Sequence, residues 1–157
     1  MKGQQFELQG VKGWLLLLCI NLTLLDPFAN LLNLAVGTHF GRPYFDQNPP
    51  LERLMLINGV CSIGLAVFSI YAGISLWKVL PNAVTIAKKY LGAAFLYSLL
   101  SLFLPYLMGL PPETTKELGP TSLMNTIITA VYLYVWYQYL KRSKRVKATY
   151  PTLETET

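Results

Sequence analysis

Long apolar runs constrain this chain more than any other feature. Trp14 to Val36, Leu54 to Trp77, Tyr90 to Met108 and Leu123 to Leu140 are each close to bilayer-crossing length. A helix needs roughly 20 apolar residues for that. The apolar residues run on without amphipathic spacing, so no broad face is left for water. Composition agrees: 13% of residues are charged and the mean hydropathy is +0.39, whereas soluble domains carry about 25% charged residues. The expected fold is all-α, an integral membrane antiparallel bundle of four transmembrane helices with both termini cytoplasmic. One four-helix domain over residues 1–150 accounts for the chain, with spans near 14–36, 54–77, 90–108 and 123–140. Residues 151–157 read as a disordered polar tail.

Orientation follows from Lys and Arg. With the N-terminus inside, Lys2, Lys12, Lys78, Lys88, Lys89, Lys141, Arg142, Lys144, Arg145 and Lys147 are cytoplasmic. Arg42, Arg53 and Lys116 remain outside. Positive charge favours the cytoplasmic side, and ten of the thirteen basic residues obey that rule. The net charge of +5 therefore reads as topology and argues against nucleic-acid binding. Cys19 and Cys61 enter the membrane from opposite sides, at depths roughly 13 Å apart. That exceeds the reach of a disulfide, and both read as small apolar residues. The first run is too long, and its second half too polar, for a cleaved signal peptide.

The first run carries the one acid within the apolar runs. Asp26 lies near the bilayer midplane, followed by Pro27, with Asn30 and Asn33 on the same helical face. A charge at that depth costs about 2.5 to 3.5 kcal/mol on insertion scales, and no Lys or Arg lies at matching depth. Asp26 is therefore expected to face inward and to be uncharged at neutral pH. Its available partners are Asn58, Tyr97, Ser98, Ser101, Thr129 and Tyr132. Pro27 deprives the Thr23 carbonyl of its helical amide, which predicts a kink. A carboxyl beside a helix break suits a cation or proton site; a structural hydrogen-bonding acid is the other reading.

The second run places Gly59, Ser62, Ala66, Ser69 and Gly73 on one face. Small residues let membrane helices approach closely, so this face packs within the bundle or against a second copy. In the fourth run Asn125, Thr129 and Tyr132 share an inward face, while Trp136, Tyr137 and Tyr139 read as an aromatic belt at the cytoplasmic interface. Trp14 suits the same level. His39 is the one histidine. With no second ligand at metal spacing, no metal site is expected. Nucleophile-elbow, P-loop, zinc-hydrolase and C-x-x-C signatures are missing, so no catalytic residue and no cofactor are assigned.

Both ends of the chain carry motifs. Gly13-Trp14-Leu15-Leu16-Leu17 opens the first run, and Ser143-Lys144-Arg145-Val146-Lys147-Ala148-Thr149-Tyr150 follows the fourth. Together they resemble a family of small four-span bacterial inner-membrane proteins catalogued as a domain of unknown function. The likeness covers roughly residues 8 to 150. It implies a multi-pass protein of the bacterial inner membrane, which the basic residues orient N-in and C-in. It implies no activity and gives Asp26 no role. The basic residues of the closing motif attract anionic lipid at about 1 kcal/mol each. That leaves Ser143, Val146 and Thr149 without a reason, unless the segment folds back on the bundle or docks a partner. Ser143, Lys144, Arg145, Val146, Lys147 and Thr149 are thus candidate contacts for lipid or a partner.

Three functions compete. The first is an interaction or assembly subunit acting on another membrane component. The second is a small transporter-like or ligand-binding bundle centred on Asp26, with Asn30, Asn33, Asn58, Ser98, Ser101, Thr129 and Tyr132 as its polar interior. The third is a membrane enzyme acting on a lipid or quinone. A polar cavity reaching Asp26 favours the second over the first. The bilayer, with anionic lipid at the cytoplasmic face, is the expected surrounding. A membrane-protein partner fits the first reading, and the oligomeric state stays open.

Overall fold

The structure, a computed structural model, describes residues 10–46 and 48–150. Lys2 and the expected tail over 151–157 lie outside the described residues. The fold is all-α. Helix α1 runs Trp14–Tyr44, α2 Pro49–Trp77, α3 Ala83–Leu107, α4 Pro112–Arg142, and a short α5 Lys144–Thr149. Within α1, a π-helical turn over Asn21–Leu25 separates the α-helical segments Trp14–Ile20 and Asp26–Gly41, and Arg42–Tyr44 tightens to a 3-10 turn.

Short turns join the helices. Pro49 and Pro112 stand at the first positions of α2 and α4. An amide there has no helical partner to lose, so proline starts these helices early. The apolar run from Leu123 therefore fills only the later part of α4, which begins well before it at Pro112. Two helices end alike. The Leu80 amide reaches the Ser75 carbonyl at 3.1 Å and the Val79 amide reaches Leu76 at 3.2 Å. At the end of α3, Leu110 reaches Pro105 at 3.2 Å and Gly109 reaches Tyr106 at 3.2 Å. This paired closure needs a left-handed residue. Gly109 supplies it at φ 71°, and Val79 at φ 49°.

Helices α1, α2 and α3 are long and apolar enough to cross a membrane, and they pack antiparallel. Their outward faces carry exposed Leu24, Phe28, Val60, Val67, Leu96 and Phe103. Helix α4 packs along α3. It does not reach the same hydropathy, because Asn125, Thr126, Thr129, Gln138 and several tyrosines interrupt its apolar run. Close packing runs α1 on α2, α2 on α3 and α3 on α4.

The small face of α2 is used inside the chain. The Ser69 hydroxyl donates to the Leu22 carbonyl at 2.7 Å, and Gly59 meets the Leu34 side chain. A Cβ at Gly73 would lie 2.9 Å from Thr23 Oγ1 and 3.0 Å from the Thr23 amide nitrogen, so only glycine admits this approach. Cys19 and Cys61 are free thiols.

The main core occupies the half of the bundle where the described chain begins, at Gly10, and ends, at Tyr150. Leu15, Leu18, Leu22, Leu76, Ala83 and Leu140 meet there. Trp136 belongs to this core rather than to a surface belt, being 6% exposed and edge-on to Trp14, Tyr132 and Tyr139. Tyr137 does stay exposed. The closing motif folds back beneath this core. Ser143 caps α5 by accepting the Val146 amide, and Thr149 Oγ1 accepts the Gly10 amide at 3.2 Å. Val146 and Tyr150 enter the core. The Tyr150 hydroxyl donates to the Leu76 carbonyl at 2.6 Å, and burial pushes this phenol's pKa up, so it keeps its proton as a donor.

Candidate functional site

The site begins with a defect in α1. The Asp26 amide bonds to the Asn21 carbonyl, one residue further back than an α-helix allows. That frees the Leu22 carbonyl, which Ser69 then occupies. Pro27 has no amide to give Thr23. The Thr23 hydroxyl folds back to the Cys19 carbonyl and accepts from Trp77 Nε1 at 3.0 Å. Proline signalled a local break. The π-turn that precedes it had no separate signal in the sequence.

This break presents Asp26 to two phenols. Tyr90 of α3 donates to Oδ2 at 3.1 Å, and Tyr132 of α4 donates to Oδ1 at 3.1 Å. Aromatic neighbours set both rings, Phe68 edge-on to Tyr90 and Trp136 edge-on to Tyr132. Edge-to-face pairs of this kind hold ring orientation. A phenol can donate or accept, so the clamp accommodates the carboxyl with or without its proton. Tyr132 was among the expected partners. Tyr90 was missed, because as the first residue of the third apolar run it reads as an interfacial aromatic.

Above the clamp lies a cavity of about 750 Å³. Its wall on α1 carries Asp26, Asn30 and Asn33, and α2 adds Asn58. From α3 come Tyr97, Ser98 and Ser101, and from α4 Asn125, Thr126, Thr129 and Tyr132. The eight residues expected to form a polar interior thus line one space. Tyr97 donates to Asn58 Oδ1 at 3.1 Å, which ties α2 to α3 across it. Among the described residues, no Lys, Arg or His lines the cavity, and Asp26 is its one acid. From the clamp, the lining climbs away from the termini to Leu54, Pro105 and Ser122.

The six closing-motif residues divide. Val146 and Thr149 are buried, and Ser143 is half-buried as a cap. Lys144 and Lys147 stay exposed, with Arg145 half-exposed. Only the basic members remain free for lipid or a partner.

A family model described as "Protein of unknown function (DUF2569)" matches residues 8–151. The chain belongs to this family. Both end motifs fall within the matched range, and the Gly10 amide, just before the first motif, reaches Thr149 in the second. No curated protein and no solved structure matches the chain.

Proposed function

We propose that this DUF2569 protein is a small transporter-like, ligand-binding membrane bundle whose cavity takes a monocation against Asp26. The observation that carries this reading is a lone carboxyl, clamped by two phenols, at the base of a roomy polar cavity. Ligand pockets commonly measure about 300 to 1,000 Å³, and 750 Å³ falls inside that range. It is far more than a bare ion needs. One carboxyl is also few for a divalent cation, which gathers six or more oxygen ligands. An organic amine fits both the charge and the size, and the tyrosine faces can add cation–π attraction.

In this reading the empty site keeps a proton on Asp26, and the bound cation takes the proton's place. Difference infrared spectroscopy on the protein in nanodiscs tests it. Adding an organic amine is expected to remove the stretch of a protonated carboxyl and raise that of a carboxylate. The change is expected to vanish in Asp26→Asn. An unaltered spectrum on amine binding refutes the exchange.

The same reading makes α4 a fourth span, with both termini cytoplasmic in a bacterial inner membrane. Two features support it. The interrupting polar residues Asn125, Thr126 and Thr129 line the cavity, and the basic residues divide ten to three across the membrane. Cysteines at Asp46 and Glu113 are expected to label from the periplasm, and one at Lys144 only from the cytoplasm. Labelling of position 144 from outside overturns this topology. The exposed Lys141, Arg142, Lys144 and Lys147 would then lie against the inner leaflet, where anionic lipid or an acidic membrane partner can engage them.

A further inference from the structure

Among the described residues, the cavity wall is exposed along α1 and α4. Five of its lining residues are solvent-accessible on the protein surface: Leu25, Ala29 and Asn33 on α1, and Asn125 and Ile128 on α4. The lining residues of α2 and α3 are all buried or half-buried. Close packing links α1 to α2, α2 to α3 and α3 to α4. Across the remaining seam, α1 and α4 meet through long side chains, Tyr132 on Asp26 and Trp14 on Trp136. Both contacts lie at or below the floor of the cavity. Beyond the clamp the seam is therefore open. The end farthest from the termini is narrowed instead, where Leu54, Leu104 and Leu110 pack together.

The seam has a chemistry of its own. Leu25 and Ile128 are each 55% exposed and form apolar lips with Ala29 beside the clamp, while Asn33 and Asn125 edge the opening farther along. Phe28, Leu32, Met124 and Val131 continue the apolar surface outward. Inside the lips the wall turns polar within one helical turn, at Asn30 and Thr129, and ends on Asp26. An opening of this kind faces hydrocarbon wherever α1, α2 and α3 span a bilayer.

We infer that the ligand is a monocationic single-chain amphiphile that enters sideways from the bilayer, between α1 and α4. This rests on the reading of Asp26 as the cation site. The amine head reaches the carboxyl between Tyr90 and Tyr132, and the apolar chain stays between Leu25 and Ile128. Among the described residues the lining offers no cation to hold a phosphate or carboxylate head, which sets zwitterionic phospholipids and fatty acids apart from the ligand. The chain of such a ligand never leaves an apolar surrounding, so only the head must exchange partners.

Binding in nanodiscs of neutral lipid, followed by native mass spectrometry, tests the inference. Dodecylamine, ethylamine and lauric acid serve as probes. Dodecylamine is expected to bind at least about a hundredfold more tightly than ethylamine, since its chain concentrates it in the membrane. That binding is expected to fall about tenfold or more in Asp26→Asn, the loss of one charged partner. Lauric acid is expected to show no dependence on Asp26. Ala29→Trp and Ile128→Trp, both on exposed positions, narrow the lips and are expected to weaken dodecylamine without altering the fold. Two outcomes overturn the inference. If ethylamine binds as tightly as dodecylamine and depends on Asp26, entry is from water, and the cation site stands without the sideways route. If neither amine depends on Asp26, the cation site itself falls.

Discussion

The two halves of this bundle are built from the same helices and have opposite interiors. The half holding Gly10 and Tyr150 is packed solid with Leu15, Leu18, Leu76, Trp136 and Leu140, and α5 seals it through Val146 and Tyr150. The other half encloses a cavity of about 750 Å³ edged by asparagine, serine and threonine. Antiparallel pairing explains how one set of helices gives both. On their inward faces α1 and α4 carry large apolar residues below Asp26 and Tyr132, and mostly short polar ones beyond them. Large side chains fill the space between backbones, whereas short polar ones leave it open. The boundary lies at Asp26, Tyr90 and Tyr132. There the π-turn of α1 shifts the register of the helix just where its role changes from packing to lining.

The packed half is the more easily broken. Gly73→Val puts side-chain atoms where Thr23 already lies within 3.0 Å. Overpacking of this kind costs about 1 to 3 kcal/mol, and the upper part is expected here because backbone is among the atoms met. Gly64, on the same helix, has nothing within 4 Å of its would-be Cβ. Gly64→Val is expected to leave the melting temperature in detergent nearly unchanged. Equal losses in the two variants would show that α2 does not lie on the π-turn as described.

The two helix closures give a smaller effect of opposite sign. Gly109 closes α3 at φ 71°, while Val79 closes α2 at φ 49° with the same hydrogen bonds. A β-branched residue there is strained by about 1 to 2 kcal/mol, and Val79 is 41% exposed, so it has little packing to forfeit. Val79→Gly is expected to stabilise the protein by about 1 kcal/mol, the strain relieved less the backbone entropy glycine gives up. Gly109→Val is expected to destabilise it by a similar amount. A melting temperature that drops on Val79→Gly would place that residue in a different conformation.

Much of the site was legible in the sequence because its parts follow helical spacing. Asp26, Asn30 and Asn33 share a face by steps of four and three, and depth alone brought Ser98, Ser101, Thr129 and Tyr132 level with them. Tyr90 was not legible, since a tyrosine at the start of an apolar run fits a membrane interface equally well. Its burial and its hydrogen bond to Asp26 decide between the two. Trp136 was misassigned to the belt for the same reason: position near a span end does not say which way a ring points. The inward turn of the closing motif was half-legible. Its basic residues were explained by lipid, and the unexplained remainder, Ser143, Val146 and Thr149, is the part that folds in. The open seam between α1 and α4 left no trace, because it depends on which helices fail to pack closely.

The smallest expected effect tests the boundary itself. Asp26→Asn preserves the shape of the clamp. Its carbonyl can accept from Tyr132, and its amide can donate to the Tyr90 oxygen once that hydroxyl turns, as a phenol allows. If the resting carboxyl is uncharged, no buried charge is lost, and the expected cost is about 1 kcal/mol or less. Asp26→Leu has no such exchange and leaves two hydroxyls without their partner, each worth about 1 to 3 kcal/mol if dry. Thermal unfolding in one detergent, with both variants beside the parent, reads the difference. A costly Leu variant with a mild Asn variant places the clamp in the dry, packed half. A Leu variant as mild as Asn means that water from the cavity reaches Tyr90 and Tyr132, and the boundary moves one turn toward the termini. An Asn variant as costly as Leu would mean that the phenols hold an ionised carboxylate, and the proton-for-cation exchange would be wrong.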